Sequence, residues 1–238
     1  MGADFRQRIY AQYEAHAVGE PEDLSRAPYL DHLVDKHFPH DRNARVLDLG
    51  CGDGVLLRAA QRAGFSRLTG VDGAPGMVAR AHEIGSTFVA QGDLLATLRE
   101  ERDAQFDVVI AFDVLEHLEP DEQLALLDAS FRVLAPGGRL ILHVPNGEGP
   151  FVGSVLYGDA THVMAFTSNS LRQLFRATGF SRFEFFEDRP VVHGVRSALR
   201  SALWHAIRVG WRVYGAAETG SLGSETIFSR NLLALAFK

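Results

Sequence analysis

The stretch Val46-Leu47-Asp48-Leu49-Gly50-Cys51-Gly52-Asp53-Gly54 decides how this chain reads. Apolar residues lead into three glycines at alternate positions, and a helix-compatible run, Val55 to Ala60, follows. A strand that turns through glycine into a helix brings backbone amides close to a ligand. A dinucleotide site would need G-x-G-x-x-G, with the turn aimed at a pyrophosphate. Here the third glycine comes one position early, and Val55 stands in the dinucleotide register. Asp48 precedes the glycines and Asp53 lies among them. Carboxylates there suit a ligand that carries a positive ammonium group and no pyrophosphate.

Outward from this turn, strands and helices alternate. The pattern predicts strands over 45–49, 67–71, 86–90, 106–111 and 138–144, and helices over 54–63, 75–83, 95–101 and 120–134. Such alternation points to a parallel sheet covered on both faces. Phe106 to Phe112 is nearly continuously apolar, as a central strand should be. Pro136-Gly137-Gly138 reads as a helix stop before the next strand. After Pro145 a long Gly-rich loop runs over 146–166, followed by a helix over 168–178 with Ser168 as its expected N-cap. A strand in Phe180 to Asp188, a basic helix over 194–214 and a last strand over 231–237 complete the pattern. Residues 1–40 read as a helical segment, set apart from a domain over 41–238.

The chain has 238 residues, 46% of them hydrophobic, enough for one sizeable core. A net charge of −6 gives no global case for nucleic acid. The single cysteine, Cys51, excludes an intrachain disulfide and a zinc-binding cysteine cluster. The first residues are charged and lack the apolar core of a secretory signal, and no apolar run is long enough to span a membrane. A cytoplasmic protein is expected. No compact His/Asp/Glu cluster has ligand-like spacing, so no metal is expected either.

The motif set VLDLGCGDG, LTGVD ending in Asp72, GDL at 92–94, FDVVIAFDVLEHL at 106–118 and LAPGGRLILHVPN at 134–146 resembles the class I S-adenosylmethionine-dependent methyltransferases. The ordered set spans about a hundred residues and is more specific than any one of its parts. The resemblance implies a Rossmann-like, doubly wound α/β sheet of seven strands with the last one antiparallel. It implies S-adenosyl-L-methionine as cofactor, with its amino-acid end in the glycine turn. Asp72 would accept from the ribose hydroxyls and Asp93 from the adenine amino group. Asp48, Gly50, Cys51, Gly52, Gly54, Gly73, Gly92, Leu94, Phe112 and Asp113 would line the same site, with Tyr13 reaching it from an N-terminal lid. Four of these have a plainer alternative. Gly54 can serve helix–strand packing, Asp72 and Asp93 can cap helices, and Tyr13 can pack in the core.

Methyl transfer to a hydroxyl also needs a proton acceptor. His162, with Asp159 three residues before it, is the favoured base, because a carboxylate can orient an imidazole. His117, in the Glu-His pair after the fourth strand, is a second candidate, while His143 reads as a satisfied buried residue. The stretch from Asp159 and His162 through Phe166, Thr167, Ser170, Leu171, Leu174, Gly179 and Phe180 resembles a branch of methyltransferases associated with polysaccharides and glycans. The first expectation is therefore an O-methyltransferase acting on a sugar hydroxyl. Alternatives are O- or C-methylation of a small phenolic, quinone-like or natural-product acceptor, or a non-catalytic cofactor-binding subunit. Arg196, Arg200, Arg208 and Arg212 lie beside a stripe of Leu199, Leu203, Ile207 and Trp211. This amphipathic helix is expected to pack on the domain or form a homodimer, with contact to an anionic membrane surface as the alternative.

Overall fold

The computed structural model describes residues 26–220 and 226–238, besides Phe5, Arg8 and Ile9. A first helix, α1 (Ala27–His37), precedes a regular alternation. This runs β1 (Arg45–Leu49), α2 (Val55–Arg62), β2 (Arg67–Asp72), α3 (Pro75–Glu83), β3 (Val89–Gln91), α4 (Leu94–Glu100) and β4 (Phe106–Phe112). A 3-10 turn (Leu115–His117), α5 (Pro120–Val133), β5 (Leu134–Pro145), α6 (Val152–Leu156) and α7 (Ser168–Ala177) follow. The chain then forms β6 (Arg182–Glu187), α8 (Val195–Thr219) and β7 (Asn231–Phe237). The seven strands form one sheet in the order β3-β2-β1-β4-β5-β7-β6. β1 pairs in parallel with β2 and β4, whereas β7 runs antiparallel to both β5 and β6. The sheet is the expected Rossmann-like, seven-stranded one, and its last strand in the chain is the antiparallel one.

Successive strand residues point to opposite faces, so a central strand needs apolar residues at every position. β4 meets this need. Val109 and Ala111 join one core cluster, and Val108 and Ile110 join the other. Leu30, Leu33 and Val34 of α1 close the second cluster, one helical turn apart. The strand order reverses between β1 and β4, and such a reversal leaves a crevice beyond the carboxyl ends of the strands.

Three local expectations need correction. β3 is a short strand beginning at Val89, because Ser86 turns back and donates its N–H to Ala81 O (2.8 Å). β5 starts at Leu134 rather than 138. Its pairing with β4 shifts register past Phe106, and Gly137 takes a positive φ within the irregular stretch. The cap of α7 is Thr167 rather than Ser168. Thr167 Oγ1 accepts from Ser170 N (3.0 Å), and Ser170 Oγ accepts from Thr167 N (2.9 Å), a reciprocal capping box.

α8 extends five residues beyond its expected end. Its buried residues are Ser197 and Arg208, and Leu199, Leu203 and Ile207 are exposed. The apolar stripe is thus not packed on the described part of the domain. The helix is held instead by Arg208, whose Nε lies 2.8 Å from the buried carboxylate of Glu187. No helix among the described residues is long and apolar enough to cross a membrane.

Candidate active site

The glycine turn leaves β1 at the crevice. Gly50 has φ +71°, and a Cβ placed there would sit 2.5 Å from Val114 Cγ2, in the turn after β4. Gly54 has φ +78° and begins α2. A Cβ there would meet Val89 Cγ2 at 3.0 Å, so its packing role is real. A side chain at either position would be strained by backbone and neighbour alike. Between them, Gly52 donates its N–H to Asp72 Oδ2 (2.7 Å), and Ala74 N donates to Asp72 Oδ1 (2.8 Å). Asp72 therefore ties the end of β2 to the turn after β1. Gly73 follows it, and Gly92 N donates to Asp72 O (3.0 Å), which joins the end of β3 to the same edge. Asp93 caps α4 through Ala96 N (2.8 Å), and Leu94 is the first residue of that helix.

Asp48 is buried below the turn, and its Oδ1 has no hydrogen-bond partner among the described residues. Burial, then the charge of Asp72, pushes its pKa up. A cationic ligand group at the turn would offset both effects, which fits the ammonium end of the expected cofactor. Asp53 is occupied otherwise, in an ion pair with Arg80 at 3.2 Å. Burial also pushes the Cys51 thiol up, as suits a small filler rather than a nucleophile. Tyr13, with most of the expected lid, lies outside the described residues.

The turn after β4 carries the rest of the site. Asp113 has φ +58°, a left-handed conformation that aspartate tolerates better than most residues. Its Oδ1 lies 2.5 Å from Nδ1 of His143, and Nε2 of His143 lies 3.6 Å from Asp188 Oδ2, just past β6. His143 also stacks on Phe112 with centroids 4.0 Å apart. Burial alone would lower its pKa, but Asp113 and Asp188 outweigh that and push it up to about 9. Burial alone would raise Asp113, yet the His143 charge holds it below the usual carboxylate range.

Beyond Asp113, Glu116, His117 and His162 converge, with potential ligand atoms within 4.8 Å of one another. Chain spacing could not show this cluster, because the long loop after β5 brings His162 across to the β4 turn. Such a group could hold a divalent cation. The bonding also departs from the expected Asp159–His162 pairing. Asp159 Oδ1 accepts from both N and Oγ1 of Thr161 (2.8 and 2.6 Å), and Thr161 Oγ1 accepts from His117 Nδ1 (2.8 Å). An aspartate readily binds the amide two residues on, which turns its carboxylate toward His117. His162 Nδ1 donates to Val155 O (3.1 Å), leaving its Nε2 4.0 Å from Glu116 Oε1. Glu116 and Asp188 were not legible as site residues. Only the Glu-His pair itself hinted at Glu116.

A methyltransferase domain model matches residues 23–182. The chain belongs to the methyltransferase-domain family. Its fold is that of the class I S-adenosylmethionine-dependent methyltransferases. A ubiquinone biosynthesis O-methyltransferase of Xylella fastidiosa is 37% identical over 142 residues, 56% of this chain and 54% of the relative. One from Idiomarina loihiensis is 36% identical over 147 residues, 59% and 58% of the two chains. The chain spans about half the length of these curated relatives. Among solved structures, a SAM-dependent methyltransferase from Archaeoglobus fulgidus superposes with a TM-score of 0.67 at 18% identity, covering 96% of this chain and 99% of that one. A 1,6-didemethyltoxoflavin-N1-methyltransferase of Burkholderia thailandensis superposes with a TM-score of 0.59 at 19% identity, covering 99% and 86%. These relatives give no support to the glycan-associated branch.

The site of this methyltransferase carries a pH-dependent cost. Burial, and secondarily Asp113, pushes Glu116 up to about 8 from an ordinary 4.5. A raised pKa means the folded state holds a proton that the unfolded chain has lost. The contribution is therefore complete below about pH 4.5 and disappears as pH rises through about 8. Glu116→Gln keeps the shape without the ionisation. It is expected to melt on the order of 5 °C above wild type at pH 8.5 and to match it at pH 4.5. Thermal unfolding followed across that range checks this.

Proposed function

We propose that the enzyme transfers a methyl group to a hydroxyl of a small phenolic or quinol-like acceptor, with His162 accepting the proton. When bound, the cofactor supplies a methyl carbon already activated on a positive sulfur. Asp48 and the glycine turn would hold its amino-acid end, Asp72 its ribose and Asp93 its adenine. The chain's remaining task is to hold the acceptor in line and remove its proton. His162 suits that role by its hydrogen bonding. Nδ1–H is committed to Val155 O, so the lone pair lies on Nε2, at the β4 turn. That arrangement is the observation that carries the reading. The names of the ubiquinone biosynthesis relatives favour a quinone-like acceptor over a sugar.

The two acceptor classes separate in one experiment. Release of S-adenosylhomocysteine is measured with substituted catechols and with methyl glycosides. Turnover of catechols is expected. Turnover of the glycosides alone would overturn the reading, and no release with any hydroxyl acceptor would favour a cofactor-binding subunit.

A further inference from the structure

A cavity of about 280 Å³ opens beside Asp188, whose Oδ2 lies 3.6 Å from Nε2 of His143. Arg26, Tyr29, Asp188, Arg189, His193 and Arg200 line it. It lies at the carboxyl end of β6, and β6 runs the same way as β5, so it belongs to the mouth of the sheet. Arg26 joins it to the reaction site directly, because its guanidinium lies over the Phe112 ring, 5.8 Å from the centroid.

Charge accounting makes this cavity cationic. Asp188 faces inward to His143, which Asp113 also holds. Glu187, just before it, pairs with both Arg189 (2.9 Å) and Arg208 (2.8 Å). His143, Arg26, Arg189, Arg200 and Arg208 together face only Asp113, Asp188 and Glu187, so the positive charges at this rim are in excess. Among the described residues no ion pair involves Arg26 or Arg200, and the Arg26 charge helps to hold the Asp113 carboxyl below its usual range. The walls are also braced. His193 N donates to Ser197 Oγ (2.8 Å), Ser197 Oγ donates to Gly194 O (2.8 Å), and Asp188 N donates to Ser229 Oγ (3.0 Å). Guanidinium groups on a fixed rim recognise carboxylate and phosphate by charge and by paired N–H donors.

We propose that this pocket binds an acidic group, a carboxylate or a phosphate, carried by the methyl acceptor. The inference rests on the acceptor reading above and narrows it to anionic phenols and catechols. Arg26 and Arg200 set specificity; neither takes part in the proton transfer.

The test titrates protein loaded with S-adenosylhomocysteine, by calorimetry, with 3,4-dihydroxybenzoate, catechol and inorganic phosphate. The benzoate is expected to bind about tenfold more tightly than catechol, the effect of one charge-assisted hydrogen bond. A double variant, Arg26→Gln with Arg200→Gln, should lose that preference. Arg62→Gln, whose partner is Asp31, should keep it. Phosphate that competes with the benzoate extends the ligand class to phosphates, and failure to compete narrows it to carboxylates. Equal affinity for benzoate and catechol, or a preference that survives in the double variant, would overturn the proposal. The titration reads binding alone. A failure of both catechols to release S-adenosylhomocysteine would count against the acceptor reading and leave the pocket result intact.

Discussion

Asp72→Ala is expected to bind S-adenosylmethionine on the order of a hundredfold more weakly than wild type. Two losses combine. The carboxylate now accepts the amides of Gly52 and Ala74 and so holds the glycine turn against β2. It is also the group expected to accept the ribose hydroxyls, and hydrogen bonds to a charged acceptor are each worth about 1.5–3 kcal/mol. Isothermal titration with the cofactor measures the effect, and circular dichroism checks that the sheet persists. Asp72→Asn retains one acceptor oxygen and should fall between the two. An alanine variant with wild-type affinity would refute the ribose assignment.

His162→Ala should lower kcat by roughly a hundred- to ten-thousand-fold at saturating acceptor, with the cofactor Kd unchanged. The imidazole lies in the loop after β5, with its Nε2 4.0 Å from Glu116 Oε1 in the β4 turn, and makes no hydrogen bond to the glycine turn among the described residues. Removing it should therefore spare the cofactor and lose the proton acceptor. Its ring also packs edge-on against His117, with centroids 4.7 Å apart, so a His162→Gln variant that fills the space separates lost chemistry from lost packing. Full turnover in either variant would remove His162 from the proton transfer.

The order of elements was legible because each depends on neighbours in the chain. The strand, three glycines and helix around Gly50 read correctly, since only such residues permit that backbone. FDVVIAF read as a central strand because both its faces are buried, and β4 is flanked by β1 and β5. Short β3 was misjudged because three residues carry little periodicity. The start of β5 was misjudged because its register shift depends on pairing with β4. The link from Asp159 to His117 was missed for a related reason. Nearness in sequence suggested His162, while the turn geometry directs the carboxylate through Thr161 to His117.

From residue order came the alternating architecture and, through the resemblance its motifs carry, the expected class of cofactor. These rest on local rules, namely which backbone a glycine permits and which carboxylate ends a strand. Tertiary structure alone decided the groupings around the β4 turn. His143 lies between Asp113 and Asp188 because β5 is next to β4 while β6 returns through β7 to the same mouth. Glu116, His117 and His162 converge because a long loop folds back across the β4 turn. Charges far apart in the chain shift one another only when folding places them within a few ångströms in a medium from which water is excluded.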